Sequence, residues 1–137
     1  MPEREGLVET VVRSFFETLS SGDLDGVGKM LHEQASWTIF AEGLPGAGTH
    51  EGREAIVEGF LRPVRRMFEP GDPKVAVENL VAAESWVAVE ATGRGRFANG
   101  TPYRNTYAFF MEVEDGKVRT VREYMDSRLA STLLAVS

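Results

Sequence analysis

The chain contains no cysteine, which removes disulfide staples, thiolate nucleophiles and cysteine-held zinc from consideration. Histidine is scarce as well. His32 and His50 stand alone in expected loops, with neither an HExxH pattern nor a paired metal spacing, so no metal is expected. Positive charge is in deficit. Lys and Arg number 15 against 21 Asp and Glu, the net charge is −6, and no segment forms the basic footprint that nucleic acid demands. No apolar run reaches membrane-spanning length. The opening MPEREG lacks the apolar stretch and small-residue cleavage site of a secretion signal. GLPGAG, at positions 43–48, lacks a Walker lysine and reads as a flexible loop over a pocket mouth rather than a phosphate cradle. The expectation is a cytoplasmic protein without cofactor, nucleic acid or membrane partner.

What remains is an ordinary globular composition, 42% apolar and 26% charged. At 137 residues the chain fits one domain, 1–137, that buries roughly 65–70% of its unfolded surface. Leu7, Val8, Val11, Val12, Phe15, Phe16 and Leu19 recur at helical spacing. Asp23 can cap a second, shorter helix carrying Leu24, Val27, Met30 and Leu31. Residues 35–41, ASWTIFA, read as a strand, and EGLPGAGTHE as a loop. A further helix, from Gly52 to Phe68, is expected to kink at Pro63, which cannot donate to the carbonyl of Gly59. The period then changes to two, with strands near 74–82, 85–96, 103–113 and 117–125, two of the turns being Asn99-Gly100 and Asp115-Gly116. A helix over 127–135 closes the pattern. Helices first and a meander last predict an α+β layer. The strand at Trp86 carries apolar groups on both faces, so a homodimer through the uncovered sheet face is expected.

Asp126 lies two residues beyond Tyr124, so an unbroken strand would point both side chains to one face. In an apolar pocket its pKa would rise into the range of a general acid or base. Alternatively, Asp126 or Ser127 caps the last helix. Asn105 and Tyr107 share a face and either polarise a ligand oxygen or satisfy each other in the core. Glu90 either pairs with Arg122 or bonds a ligand. Trp37, Phe15, Phe60 and Val64 line a pocket or simply fill the core from which it is carved.

The element order, with Asp115-Gly116-Lys117-Val118, Arg122-Glu123-Tyr124-Met125-Asp126, Trp37 and Gly52-Arg53-Glu54-Ala55-Ile56, resembles the SnoaL-like proteins of the nuclear transport factor 2-like superfamily. Relatives include polyketide cyclases, ketosteroid isomerases and limonene epoxide hydrolases. The resemblance implies a cone-shaped α+β fold, N-terminal helices on a curved, mostly antiparallel sheet enclosing a pocket, often dimeric. It implies an acid/base aspartate near the end of the last strand, matched by Asp126. The chain also departs from these relatives. Trp37 and Ile39 replace the water-holding Tyr and Asn of the epoxide hydrolases, and Glu90-Ala91-Thr92 replaces their Arg-x-Asp. Ile39 or a neighbour and Phe15 or Phe16 occupy the isomerase base and tyrosine positions, with Glu42 nearby in a loop. Two functions follow: an acid/base enzyme (cyclase, isomerase or hydrolase) acting on an apolar carbonyl or epoxide compound, with Asp126, Asn105 and Tyr107 catalytic and Trp37, Phe15, Phe60, Val64, Glu90 and Tyr124 binding, or a non-catalytic ligand-binding or assembly module.

Overall fold

The computed structural model describes residues 2–135, without the side chain of Pro2. Helix α1 (Pro2–Ser21) buries Val8, Val12, Phe15, Phe16 and Leu19 on one face, and the exposed Leu7 marks the edge of that stripe. Gly22, at φ +83°, ends the helix in the left-handed region that glycine enters without strain. The Oδ1 of Asp23 accepts the backbone N–H of Gly26 at 2.9 Å and so caps α2 (Leu24–Met30), as its sequence position predicts.

Helix α3 spans 53–65 and is not uniform. An α-helical start (Arg53–Ile56) opens into one π-helical stretch (Val57–Leu61) before returning to α (Arg62–Arg65). The N–H of Arg62 reaches back to the carbonyl of Val57. The disturbance expected at Pro63 is thus absorbed by widening the preceding turn, a usual accommodation of an interrupted bond ladder. The widened stretch carries the buried Val57, Phe60 and Leu61.

One six-stranded sheet has the order β2-β1-β6-β5-β4-β3. Strands β3 (Lys74–Ala83), β4 (Trp86–Arg96), β5 (Pro102–Glu114) and β6 (Lys117–Met125) form the expected antiparallel meander. Strand β1 (Leu31–Ile39) runs parallel to β6 and starts earlier than ASWTIFA suggests. The expected loop before Gly52 conceals β2 (Gly48–Glu51), paired antiparallel to β1 from Ser36–Glu51 to Ile39–Gly48. Four largely exposed residues, one glycine and three polar side chains, give no period by which to read a strand, and pairing to β1 supplies the order. The chain closes with α4 (Ser127–Ala135). Helices cover one face of the curved sheet, the α+β layering that the sequence predicts.

Alternation assigns most positions correctly. Val87, Val89 and Ala91 point inward, as do Tyr103, Asn105, Tyr107, Phe109, Met111 and Val113. In β6 the alternation breaks. Val118 pairs with Val113 and Thr120 with Glu112, so Arg119 is an extra residue, a β-bulge. Both Val118 and Val121 are buried, three positions apart, and every residue after the bulge faces opposite to a count by twos from Val118. Deleting Arg119 should therefore abolish cooperative folding, because Val121 and position 123 would turn outward. Arg119→Ala keeps the residue count and loses only the partly exposed ion pair to Glu114, at a cost below about 1 kcal/mol. Urea titration followed by circular dichroism reads both variants, and a deletion variant of parental stability would refute this role of the bulge.

Candidate functional site

The bulge turns Glu123 inward. Its side chain is 7% exposed, and its Oε1 accepts the indole N–H of Trp37 at 2.9 Å. Trp37, itself buried, is held by Phe15 (centroids 5.9 Å apart) and Phe60 (5.4 Å). Glu123 faces a cavity of about 100 Å³ between sheet and helices. Strand residues Ile39, Tyr103, Tyr107 and Met125 form one wall. Phe60 and Val64 of α3, with Met67 and Phe68 beyond it, form another. Leu44 and Pro45 of the 42–47 loop and Ala130 and Leu134 of α4 complete it. Among the described residues that line the cavity, Glu123 alone carries a formal charge. The 42–47 loop is pinned there by His50, which bonds the carbonyl of Gly46 at 2.8 Å and stacks on Phe60 with centroids 4.8 Å apart.

Burial pushes the Glu123 carboxyl up from its ordinary 4.5 to about 7, against the lowering effect of the Trp37 hydrogen bond. Charged and neutral forms therefore coexist near neutrality. Beside it the hydroxyls of Tyr103 and Tyr107 hydrogen-bond each other. Burial raises both phenols, Tyr107 far more, so both stay protonated throughout the range in which Glu123 titrates. One phenolic proton joins the two oxygens, which leaves the other free to be donated. Gly93 makes room for this pair, since a Cβ there would stand 2.8 Å from Cε2 of Tyr107.

The positions singled out from the sequence divide accordingly. Tyr107, Phe60 and Val64 line the cavity; Trp37 stands behind Glu123, and Phe15 behind Trp37. Asp126, expected in the pocket, is exposed, and its Oδ1 accepts the backbone N–H of Leu129 at 2.9 Å, capping α4. Tyr124, expected to bind ligand, lies on the outer sheet face, stacked on Phe40 (4.6 Å) with the Arg122 guanidinium 4.7 Å from the centre of the Phe40 ring. The Tyr124 correction follows from the bulge, and the Asp126 correction from the end of β6 at Met125, beyond which Asp126 caps the helix. Glu90 is also on the outer face, where it accepts a bond from Asn79 Nδ2 at 2.9 Å and not from Arg122. Asn105 is buried, and besides a side-chain hydrogen bond with Tyr103 its amide holds the backbone. Nδ2 donates to the Asp126 carbonyl at 3.1 Å, and Oδ1 accepts from Asp126 N at 3.0 Å and Thr106 N at 2.8 Å. It clamps the junction of β6 and α4. Glu42 is exposed in its loop. Glu123 and Tyr103 were not anticipated; the doublet Val118/Val121, incompatible with a regular strand, is the one trace of the parity change.

His32, which lies on β1 and not in a loop, forms with Glu114 and Asp115 a grouping whose potential ligand atoms lie within 4.8 Å of one another. Glu114 is already taken up by Arg119 at 2.9 Å and His32 at 3.2 Å, and both acids are exposed, so the cluster behaves as a surface ion-pair network.

The SnoaL-like domain family matches residues 12–121, and the chain belongs to that family. Solved structures of similar shape include a nuclear transport factor 2-like protein from Burkholderia xenovorans LB400, 26% identical, with 94% of this chain and 96% of that one covered and a TM-score of 0.76. A protein of ketosteroid isomerase-like fold from Catenulispora acidiphila DSM 44928, in complex with trimethylamine, is 18% identical over 83% of each chain with a TM-score of 0.72. TerC, co-crystallised with polyporic acid, is 18% identical over 94% of this chain and 98% of its own, with a TM-score of 0.83. Among curated protein sequences there is no significant match. Among the described residues, no helix is long and apolar enough to cross a membrane.

The raised carboxyl has a thermodynamic consequence. Folded Glu123 holds its proton more tightly than the unfolded chain, about 7 against 4.5, so its contribution to stability is full below about pH 4.5 and is lost as pH rises through 7. Relative to Glu123→Gln, the parent should lose about 3 kcal/mol between pH 4 and pH 8.5, measured by urea unfolding at both ends. A constant difference would show that the carboxyl is not perturbed.

Proposed function

We propose that this protein is an acid/base catalyst acting on a compact, largely apolar molecule that bears a carbonyl or epoxide oxygen, with Glu123 as the proton-transfer group. The observation that carries this reading is a carboxyl of pKa about 7 enclosed in an otherwise uncharged cavity beside a tyrosine pair. As a carboxylate, Glu123 removes a proton from the carbon next to a carbonyl. The free proton of the Tyr103–Tyr107 pair is donated in a hydrogen bond to the oxygen on which charge develops, and protonated Glu123 then returns its proton to another carbon. In its neutral form the same carboxyl can protonate an epoxide oxygen as the ring C–O bond breaks and solvent water adds to the carbon, the added water then returning a proton to the carboxylate. Trp37 fixes Oε1, which leaves Oε2 for the substrate. About 100 Å³ is two-thirds of a cavity volume that admits benzene, about 150 Å³, so the enclosed part of the substrate is small. The small molecules bound by TerC and by the Catenulispora protein are consistent with this use of the fold.

Exchange of solvent deuterium into small cyclic ketones, and opening of small epoxides, followed by NMR, test the proposal. Glu123→Gln is expected to lose about 10²–10⁴-fold in kcat/KM. Tyr107→Phe should lose about 10–100-fold, and Asp126→Asn should retain parental turnover. Undiminished turnover in Glu123→Gln would sink the assignment. Tight binding without turnover, unaffected by that substitution, selects a ligand-binding module instead.

We propose in addition that a second copy of the chain covers the outer sheet face, where Val81, Trp86, Phe110 and Tyr124 are exposed. Arg94 and Arg104 face each other across β4 and β5 toward one end, and Glu112 pairs with Trp86 at the other, so a twofold stack with its axis running across the strands would set arginines over glutamates. Light scattering should give the mass of a dimer at micromolar concentration and of a monomer for Phe110→Asp. A monomeric parent would overturn this arrangement.

A further inference from the structure

A second hollow, of about 380 Å³, opens between the α1–α2 turn at Gly22, the end of α3 and the Pro70–Asp72 turn. It shares Phe68 with the Glu123 cavity, and three arginines, Arg62, Arg65 and Arg66, line it. Their situations differ. Arg62 is engaged, with Nε on Glu58 at 2.7 Å and Nη2 on Asp25 at 3.1 Å. Arg66 is exposed, with Glu58 the carboxylate within its electrostatic reach. Arg65 has its Nη2 buried and, among the described residues, without a hydrogen-bond partner.

Desolvation lowers the Arg65 pKa, and Asp72, the acid that lines the hollow, opposes this electrostatically. Asp72 does not form an ion pair with Arg65; its Oδ2 accepts the backbone N–H of Arg96 at 3.0 Å. Lys74 adds a cation at the rim, its Nζ 3.9 Å from where a Cβ on Gly71 would lie and bonded to the Ser20 carbonyl at 3.0 Å. A guanidinium keeps its charge at any ordinary pH. Water can complete its hydrogen bonds but cannot neutralise it, and a half-buried cation whose nearby carboxylate, Asp72, forms no ion pair with it is only partly compensated. In a chain of net charge −6, this hollow, lined by Arg65 and Arg66 beside the already paired Arg62 and with Asp72 as the one acid among its described lining residues, keeps an excess of positive charge and favours an anion.

We propose that this hollow binds a small oxyanion of the phosphate type, held by the planar guanidinium of Arg65 together with Arg66. With Nη2 of Arg65 buried, single N–H donors from Arg65 and from the exposed Arg66 meet separate oxygens of such a group. The site is separate from the proton-transfer chemistry of Glu123 and stands or falls independently of it.

Thermal unfolding of the full chain at pH 7.5, in about 10 mM sodium phosphate or in sodium chloride of equal ionic strength, provides the test. Phosphate is expected to raise the parent's Tm by about 3–5 °C, and chloride is not. Phenyl phosphate separates the sources: an equal rise assigns the site to the headgroup of a phosphate ester, and a rise with inorganic phosphate alone assigns it to the free anion. Arg65→Met removes the partly compensated cation while keeping an apolar stem, so without phosphate it should be at least as stable as the parent and should lose the phosphate response. An equal rise in chloride, a phosphate response retained by Arg65→Met, or destabilisation by that substitution would each overturn the site. Should Arg65→Met fail to fold, Arg66→Gln decides by calorimetry: phosphate affinity about fivefold weaker supports the site, and unchanged affinity overturns it.

Discussion

One inserted residue in the last strand governs what the inside of this protein contains. A strand offers two faces, and a slip of one position exchanges them completely. Arg119 supplies that slip, after which Val121, Glu123 and Met125 face the helices while Arg122 and Tyr124 face outward. Everything in the candidate site depends on it. The Trp37 indole has its acceptor and the tyrosine pair its carboxyl neighbour because β6 changes parity before reaching them.

The architecture was legible because it rests on periodicities that tertiary packing reinforces. The α1 stripe, the Asp23 cap, the two hairpin turns and the alternation of β4 and β5 each express one rule over many residues. Strand β2 was not legible, since its four residues take their order from β1 and not from their own side chains. The site was half legible. Tyr107, Phe60 and Val64 follow from undisturbed periods, whereas Glu123 sits past the bulge. An unbroken strand would have put Asp126 on one face with Tyr124, and the family pattern pointed to the same aspartate. Helix capping claimed Asp126 instead, and Asn105 went with it as the clamp that holds the cap in place.

The electrostatic character of the cavity comes from what surrounds a single carboxyl. With no cationic lining, desolvation dominates, and the indole N–H recovers only part of what water would have supplied. The two phenols are neutral donors that can meet negative charge on a ligand without adding positive charge of their own. Departures from the epoxide hydrolase and isomerase patterns at Trp37, Ile39, Phe15 and Phe16 thus amount to a different arrangement of donor and carboxyl, with Trp37 used to orient an acid and not to hold water.

A carboxyl poised near neutrality also ties the interior to the proton activity of the medium. Any molecule that prefers one ionisation state of Glu123 must, on entering the cavity, take up or release a fraction of a proton. Association then has a non-integer proton stoichiometry that changes sign with the charge preference of the guest. The heat it produces scales with the ionisation enthalpy of the buffer.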